Sequence, residues 1–109
     1  MNYFIGMGGN TGDVHKTFSR VISVIAKRLE GELVKNASWY LSRPLPNGSA
    51  DTQSEYLNTV VHVRSALKPE DVLARLIELE REHGRDREHE IRWGPRTLDL
   101  DILACGDLV

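Results

Sequence analysis

TLDLDILA, residues 97–104, alternates apolar and polar side chains with a period of two, the pattern of a half-buried strand. Leu98, Leu100 and Ile102 then point to one side and Asp99 and Asp101 to the other. Working outward, YLNTVVHVR at 56–64 reads as a second such strand. Leu57, Thr59, Val61 and Val63 share one face, and Tyr56, Asn58, Val60 and His62 the other. Residues 3–7 (YFIGM) and 32–41 (ELVKNASWYL) complete a set of four strands, the latter with imperfect alternation. Between them, Val14, Phe18, Val21, Ile22, Ile25 and Leu29 fall at helical spacing, with Gly31 as the stop. Pro69 opens a second helix whose apolar side carries Val72, Leu73, Leu76 and Ile77, with Gly84 near its end. Gly8-Gly9-Asn10-Thr11-Gly12 reads as a turn into the first helix. Residues 43–55 and 85–96 read as loops. The order β-α-β-β-α-β predicts an α+β, ferredoxin-like sandwich, an antiparallel sheet with both helices on one face. Leu98, Leu100 and Ile102 belong under the helices. Asp99, Asp101, Tyr56 and Asn58 belong on the open face, which needs a ligand, more chain or a partner to cover it.

The bulk numbers narrow the class. The 109 residues fit one domain, 1–109, and 40% hydrophobic with 28% charged residues is an ordinary globular composition. A net charge of −2 argues against a general nucleic-acid binder, whose affinity rests on neutralising phosphates. One cysteine, Cys105, forms no internal disulfide, which suits the cytoplasm. The N-terminus lacks a basic, apolar leader, and no run approaches the roughly 20 apolar residues of a membrane span. The expectation is a cytoplasmic protein that engages neither membrane nor nucleic acid. A monomer is expected, with oligomers left open.

Asp99 and Asp101 are two residues apart on one strand face, so their carboxylates lie within roughly 7 Å. At an effective dielectric of about 20 their mutual repulsion is roughly 2–3 kcal/mol. A cation between them relieves it, and oxygen-only donors suit Mg²⁺, which combines one or two carboxylates with phosphate oxygens and water. An isolated D-x-D is also simply a solvent-facing strand edge. Four of the chain's 14 Lys and Arg, namely Arg85, Arg87, Arg92 and Arg96, fall just before these acids. Guanidinium groups match phosphate oxygens bidentately, and acids beside arginines describe a polyphosphate site. Against this, Asp86, Glu88 and Glu90 are interleaved and could pair with the same arginines. Glu80 falls on the apolar side of the second helix, near a C-terminus whose dipole disfavours an acid. It either packs its stem and reaches solvent or aims into the same site. Trp93, before Gly94-Pro95, is a core plug or a movable lid. Asn58 offers a donor and an acceptor, which suits a flat heterocycle with an amide edge, while by themselves Tyr56 and Asn58 read as an ordinary strand-end pair. The glycines at 6, 8, 9 and 12 match neither G-x-G-x-x-G nor a P-loop and are assigned to the strand-to-helix turn. The four histidines show no metal-ligand spacing.

Taken together, these residues resemble a known family. RWGPRTLDLDI (92–102) closely resembles the signature of 6-hydroxymethyl-7,8-dihydropterin pyrophosphokinases. Gly8 and Asn10 resemble that family's first loop. "WYLSRPL", "QSEYLNTVV" and "IELEREHGRDR" resemble further segments, so the similarity covers nearly the whole chain. The resemblance implies transfer of pyrophosphate from ATP to the pterin hydroxymethyl group, releasing AMP, in folate biosynthesis. It implies two Mg²⁺ ions on Asp99 and Asp101, and catalytic roles for Arg85 and Arg96 with those acids. Glu80, Arg87, Trp93, Arg96 and Ile102 would meet ATP. Asn10, Ser42, Leu45, Tyr56 and Asn58 would line the pterin pocket.

The chain departs from the family at Ser42-Arg43, in a longer loop before Gln53, and in one extra residue between Arg87 and Trp93. It also stops at Val109, where the family continues for several dozen residues. A fragment and a naturally short relative both fit that ending, and weak binding is expected with one wall of the site missing. Two other classes remain open. One is a non-catalytic ferredoxin-like module that binds a small ligand or partner on its open face. The other, ranked low, is a nucleic-acid-binding domain, which would want exposed aromatics on the central strands and a basic face, whereas YLNTVVHV offers one aromatic, at its start, and the net charge is negative. The lid reading of Trp93 predicts that Mg²⁺ and an ATP analogue protect residues 85–95 from proteolysis. In a Trp39→Phe background they should also change the Trp93 fluorescence, whereas an unchanged cleavage pattern at saturating nucleotide removes the lid.

Overall fold

Strand β1 (Asn2–Gly9) lies inside an antiparallel sheet, flanked by β4 (Tyr56–Ser65) and β5 (Asp99–Gly106). The computed structural model describes residues 1–10, 12–42, 56–84 and 97–106. The strand order is β2-β4-β1-β5, with β2 (Gly31–Asn36) on the outer side of β4 and β3 (Tyr40–Ser42) also paired to β4. Helices α1 (Val14–Arg28) and α2 (Pro69–Glu82) supply the crossings that the ferredoxin-like order predicts.

One face of the sheet holds the core. Tyr3, Ile5 and Met7 of β1, Leu57, Val61 and Val63 of β4, and Leu98 with Leu100 are buried. They pack with Phe18, Val21 and Ile25 of α1 and Val72, Leu76 and Leu79 of α2. Burial alternates along β4 as its sequence period requires, and Ile102 packs at the margin of the same core. Asp13 caps α1 by accepting the Lys16 N–H at 3.1 Å, and Lys27 and Arg28 suit the negative end of its dipole. Pro69 opens α2, with Glu70 and Asp71 in its first turn.

Three local readings differ from expectation. The segment 32–41 forms two short strands along one edge of β4, not one. A bulge falls at Val34, between Leu33 and Lys35, and Trp39 turns onto α1, edge-on to Phe18 at 5.4 Å. The Ala37 carbonyl accepts the Thr59 hydroxyl at 2.8 Å and closes the gap. Helix α1 ends at Arg28, and the left-handed residue is Glu30 (φ 52°), not Gly31. Gly31 is needed for contact instead, since a Cβ there would lie 1.9 Å from the Arg64 carbonyl. Gly8 and Gly9 belong to β1 rather than to a turn, and a Cβ on Gly9 would meet the Thr97 carbonyl at 2.8 Å.

Across the helix ends, Arg28 Nη1 donates to Glu82 Oε2 at 2.7 Å. That hydrogen bond holds the Glu82 carboxyl below its ordinary range. A depressed carboxyl stabilises the fold above its unfolded pKa and loses the effect as pH falls through the folded value. Both groups are exposed, so this contribution is small and weakened by salt. The core dominates: Leu76→Ala should cost about 2–5 kcal/mol, read as a lower urea midpoint at unchanged slope. A shift near zero would mean that α2 is not seated as described.

Candidate active site

On the open face, β1 presents Gly6 and Gly8 where side chains would otherwise stand. The strand register sets these glycines in two rows: Asp101, Gly6 and Val60 across β5, β1 and β4, and Asp99, Gly8 and Asn58 beside them. Tyr40 extends the second row onto β3. Adjacent strands lie about 4.8 Å apart, so the acids and Asn58 stand roughly 10 Å apart across β1, where the Leu103 side chain lies against Gly6 and Asn58 with Tyr56 borders Gly8. The result is a cleft of about 220 Å³ with Asp99, Asp101 and Leu103 on one side and Tyr40, Tyr56, Asn58 and Val60 on the other. A flat ligand can lie on a glycine floor where side chains would hold it off.

The Asn58 amide is held in one orientation. Its Nδ2 donates to Ser42 Oγ at 2.8 Å and to the Tyr56 carbonyl at 3.0 Å. Both amide hydrogens are thereby used, and Oδ1 lies over Gly8, 3.6 Å from where its Cβ would be. Asn58 therefore offers the cleft an acceptor, suited to a ligand N–H. On the opposite wall Asp99 is half-buried and Asp101 exposed. Two carboxylates on one strand face, with no His or Cys among the described residues that line the cleft, fit a hard cation such as Mg²⁺. Among the described residues no third His, Cys, Asp or Glu completes an all-protein metal cage.

The structure thus brings Asp99, Asp101, Tyr56 and Asn58 into one cleft and sets Ser42 behind Asn58. Asn10 is half-buried just after β1 and is not part of the cleft lining. Ile102 turns toward the helices, on the face opposite the acids. Glu80 is buried between α2 and β5, where its Oε2 accepts the Leu100 N–H at 2.8 Å. Its carboxylate is directed at the backbone between the two acids rather than into the cleft. Leu45, Arg85, Arg87, Trp93 and Arg96 lie outside the described residues. Sequence reasoning missed Gly6, Gly8, Tyr40 and Leu103 as site residues. Strand alternation alone would have found Leu103, which follows Asp99 and Asp101 at the same period. Tyr40 was findable only by placing Trp39 inward.

Comparison with known proteins is consistent with this arrangement. The model of the 7,8-dihydro-6-hydroxymethylpterin-pyrophosphokinase family matches residues 4–109. A 2-amino-4-hydroxy-6-hydroxymethyldihydropteridine pyrophosphokinase of Synechocystis is 37% identical over 94% of this chain and 50% of its own length. Proteins of the same name from Pseudomonas aeruginosa and Bacillus subtilis are 36% and 33% identical over 95% and 92% of this chain, and over 61% and 57% of their own lengths. The chain spans about half the length of the curated relatives it matches.

The Ser42–Asn58 contact yields a direct prediction. Ser42→Ala should lower stability by about 0.5–1.5 kcal/mol and speed solvent exchange of the Asn58 side-chain amide protons. Unchanged exchange would mean that Ser42 does not hold the amide.

Proposed function

The chain belongs to the 7,8-dihydro-6-hydroxymethylpterin-pyrophosphokinase family, and from that premise we propose that it transfers pyrophosphate from ATP to the hydroxymethyl group of 6-hydroxymethyl-7,8-dihydropterin. The reading is carried by one observation. Asp99 and Asp101 stand across the glycine-bearing strand β1 from an Asn58 whose amide presents an acceptor. A cation wall and a heterocycle wall in one cleft are what a phosphoryl transfer to a pterin requires.

In this reading Asn58 Oδ1 accepts an N–H of the pterin edge, Ser42 holds that amide, and Tyr56 flanks the ring. Pterin contacts for Asn10 and Leu45 rest on the family motif. Asp99 and Asp101 hold two Mg²⁺ ions together with the ATP phosphates. Ions held by these two carboxylates would supply neutralisation of charge on the transferred group. The pterin hydroxyl oxygen forms a bond to the β-phosphorus, the bond from that phosphorus to the α-phosphate oxygen breaks, AMP departs, and the hydroxyl proton is released. The chain's own contribution is mainly positioning, since holding the oxygen in line with the phosphorus removes most of the entropic barrier. Catalytic roles for Arg85 and Arg96, and ATP contacts for Arg87, Trp93 and Arg96, rest on the family motif. No helix among the described residues is long and apolar enough to cross a membrane. The proposal is of a monomeric, cytoplasmic enzyme acting on small molecules.

The test is Mg²⁺-dependent release of AMP from ATP in the presence of the dihydropterin. Asp99→Asn and Asp101→Asn should each abolish it with the fold intact, and normal turnover by both would remove the metal assignment. Asn58→Ala should weaken pterin binding about tenfold, the equivalent of 1.4 kcal/mol, with little change in ATP binding. Gly8→Val suits a strand and should leave the melting temperature near wild type while blocking the pterin. Equal losses for both ligands would indicate a folding defect instead.

A further inference from the structure

Glu80 is the one buried charged side chain among the described residues. It sits in the last turn of α2, where the helix dipole disfavours a carboxylate. Its Oε2 accepts the N–H of Leu100, the residue between Asp99 and Asp101, at 2.8 Å. Strand β5 is the last in the sheet order, so Leu100 turns its N–H away from β1. By the alternation of an antiparallel ladder, the backbone groups of Asp99 and Asp101 turn toward β1 at Gly8 and Gly6. The segment 99–101 is thereby held from both sides. The regular register of β5 against β1 breaks soon afterward, with a bulge at Leu103 between the partners of Phe4 and Ile5. The stretch carrying both acids lies within the regular part, and Glu80 anchors its middle.

We propose that Glu80 is a positioning residue for the cation site: by accepting the Leu100 N–H it fixes the backbone between Asp99 and Asp101, and so sets the spacing at which their carboxylates meet a divalent ion. The inference rests on the reading of Asp99 and Asp101 as cation ligands. Mg²⁺ demands near-ideal octahedral geometry and tolerates little drift in its carboxylates. Groups that orient ligands from behind commonly matter nearly as much as the ligands themselves. What Glu80 must supply is an acceptor at that place, and a glutamine oxygen supplies one too.

The experiment measures Mn²⁺ affinity by electron paramagnetic resonance, with a non-hydrolysable ATP analogue present, for the full chain and its variants. Dihydropterin affinity and urea stability are measured in parallel. Glu80→Leu should lose about 10- to 100-fold in Mn²⁺ affinity with pterin affinity unchanged, and Glu80→Gln should restore most of that loss. Should Glu80→Leu fail to fold, Glu80→Asp, one methylene shorter, carries the same test, again with Glu80→Gln as the rescue. A folded Glu80→Leu or Glu80→Asp that binds Mn²⁺ as wild type overturns the proposal. So does a Glu80→Gln that loses as much as Glu80→Leu, because charge and not the hydrogen bond would then be at work. Parallel losses of Mn²⁺ and pterin affinity would reduce Glu80 to general support of the fold and also overturn it. Wild-type protein that binds no Mn²⁺ would instead sink the cation reading of Asp99 and Asp101 itself.

Discussion

The site depends on a strand that is packed on one face and bare on the other. Tyr3, Ile5 and Met7 of β1 anchor the core, and in the same strand Gly6 and Gly8 contribute no side chain of their own to the opposite face, so Leu103 and Asn58 of the neighbouring strands lean over it. A glycine in a strand interior weakens it, through lost packing and a larger entropy cost. Here the loss is borne by the central strand, which is paired on both sides and backed by two helices. At those positions the sheet offers backbone as a surface, and the neighbouring strands supply the walls at spacings that the ladder dictates. An edge strand could not do this, because it has a neighbour on one side only.

The two walls are built differently. The Asn58 wall is ordered by side chains: Ser42 and the Tyr56 carbonyl consume the amide hydrogens, and β3 exists as a separate strand at the place where Ser42 is needed. The acidic wall stands on β5, the last strand of the sheet among the described residues. It is steadied from behind by β1 and by the carboxylate of Glu80. One wall thus presents a fixed acceptor to a neutral ring, and the other a fixed pair of charges to a cation. Placing both on one rigid sheet lets the distance between heterocycle and metal be set by strand spacing rather than by loops.

Much of this was legible in the residues. The period-two pattern of TLDLDILA and YLNTVVHVR separated core from site, and it set Asp99, Asp101, Tyr56 and Asn58 on one face. Pro69 marked the start of the second helix, and Gly84 follows its end with φ +91°. Glu80 stood out as an acid on an apolar helix side. What was illegible depends on partners distant in sequence. Composition makes Gly8 and Gly9 look like turn residues, and only their pairing with Asn58, Leu57 and Asp99 shows them to be strand, with Gly8 in the cleft. The single-strand reading of 32–41 failed where the ladder breaks and Trp39 packs edge-on to Phe18 of α1, a partner distant in sequence. The target of Glu80 is a backbone amide twenty residues away, and no local pattern encodes it.

The central claim is that one cleft, floored by Gly6 and Gly8, takes the cation on its acidic side and the pterin beside Asn58. Paramagnetic relaxation of backbone amides by Mn²⁺, recorded with an ATP analogue and the dihydropterin bound, tests it most directly. The account predicts that broadening peaks at Gly6, Gly8 and residues 99–101, and that the pterin shifts resonances of Tyr56 and Asn58. It predicts no broadening around the acidic residues at the helix starts, Asp13, Glu70 and Asp71. Broadening centred on those helix-side acids, with residues 99–101 untouched, would contradict it.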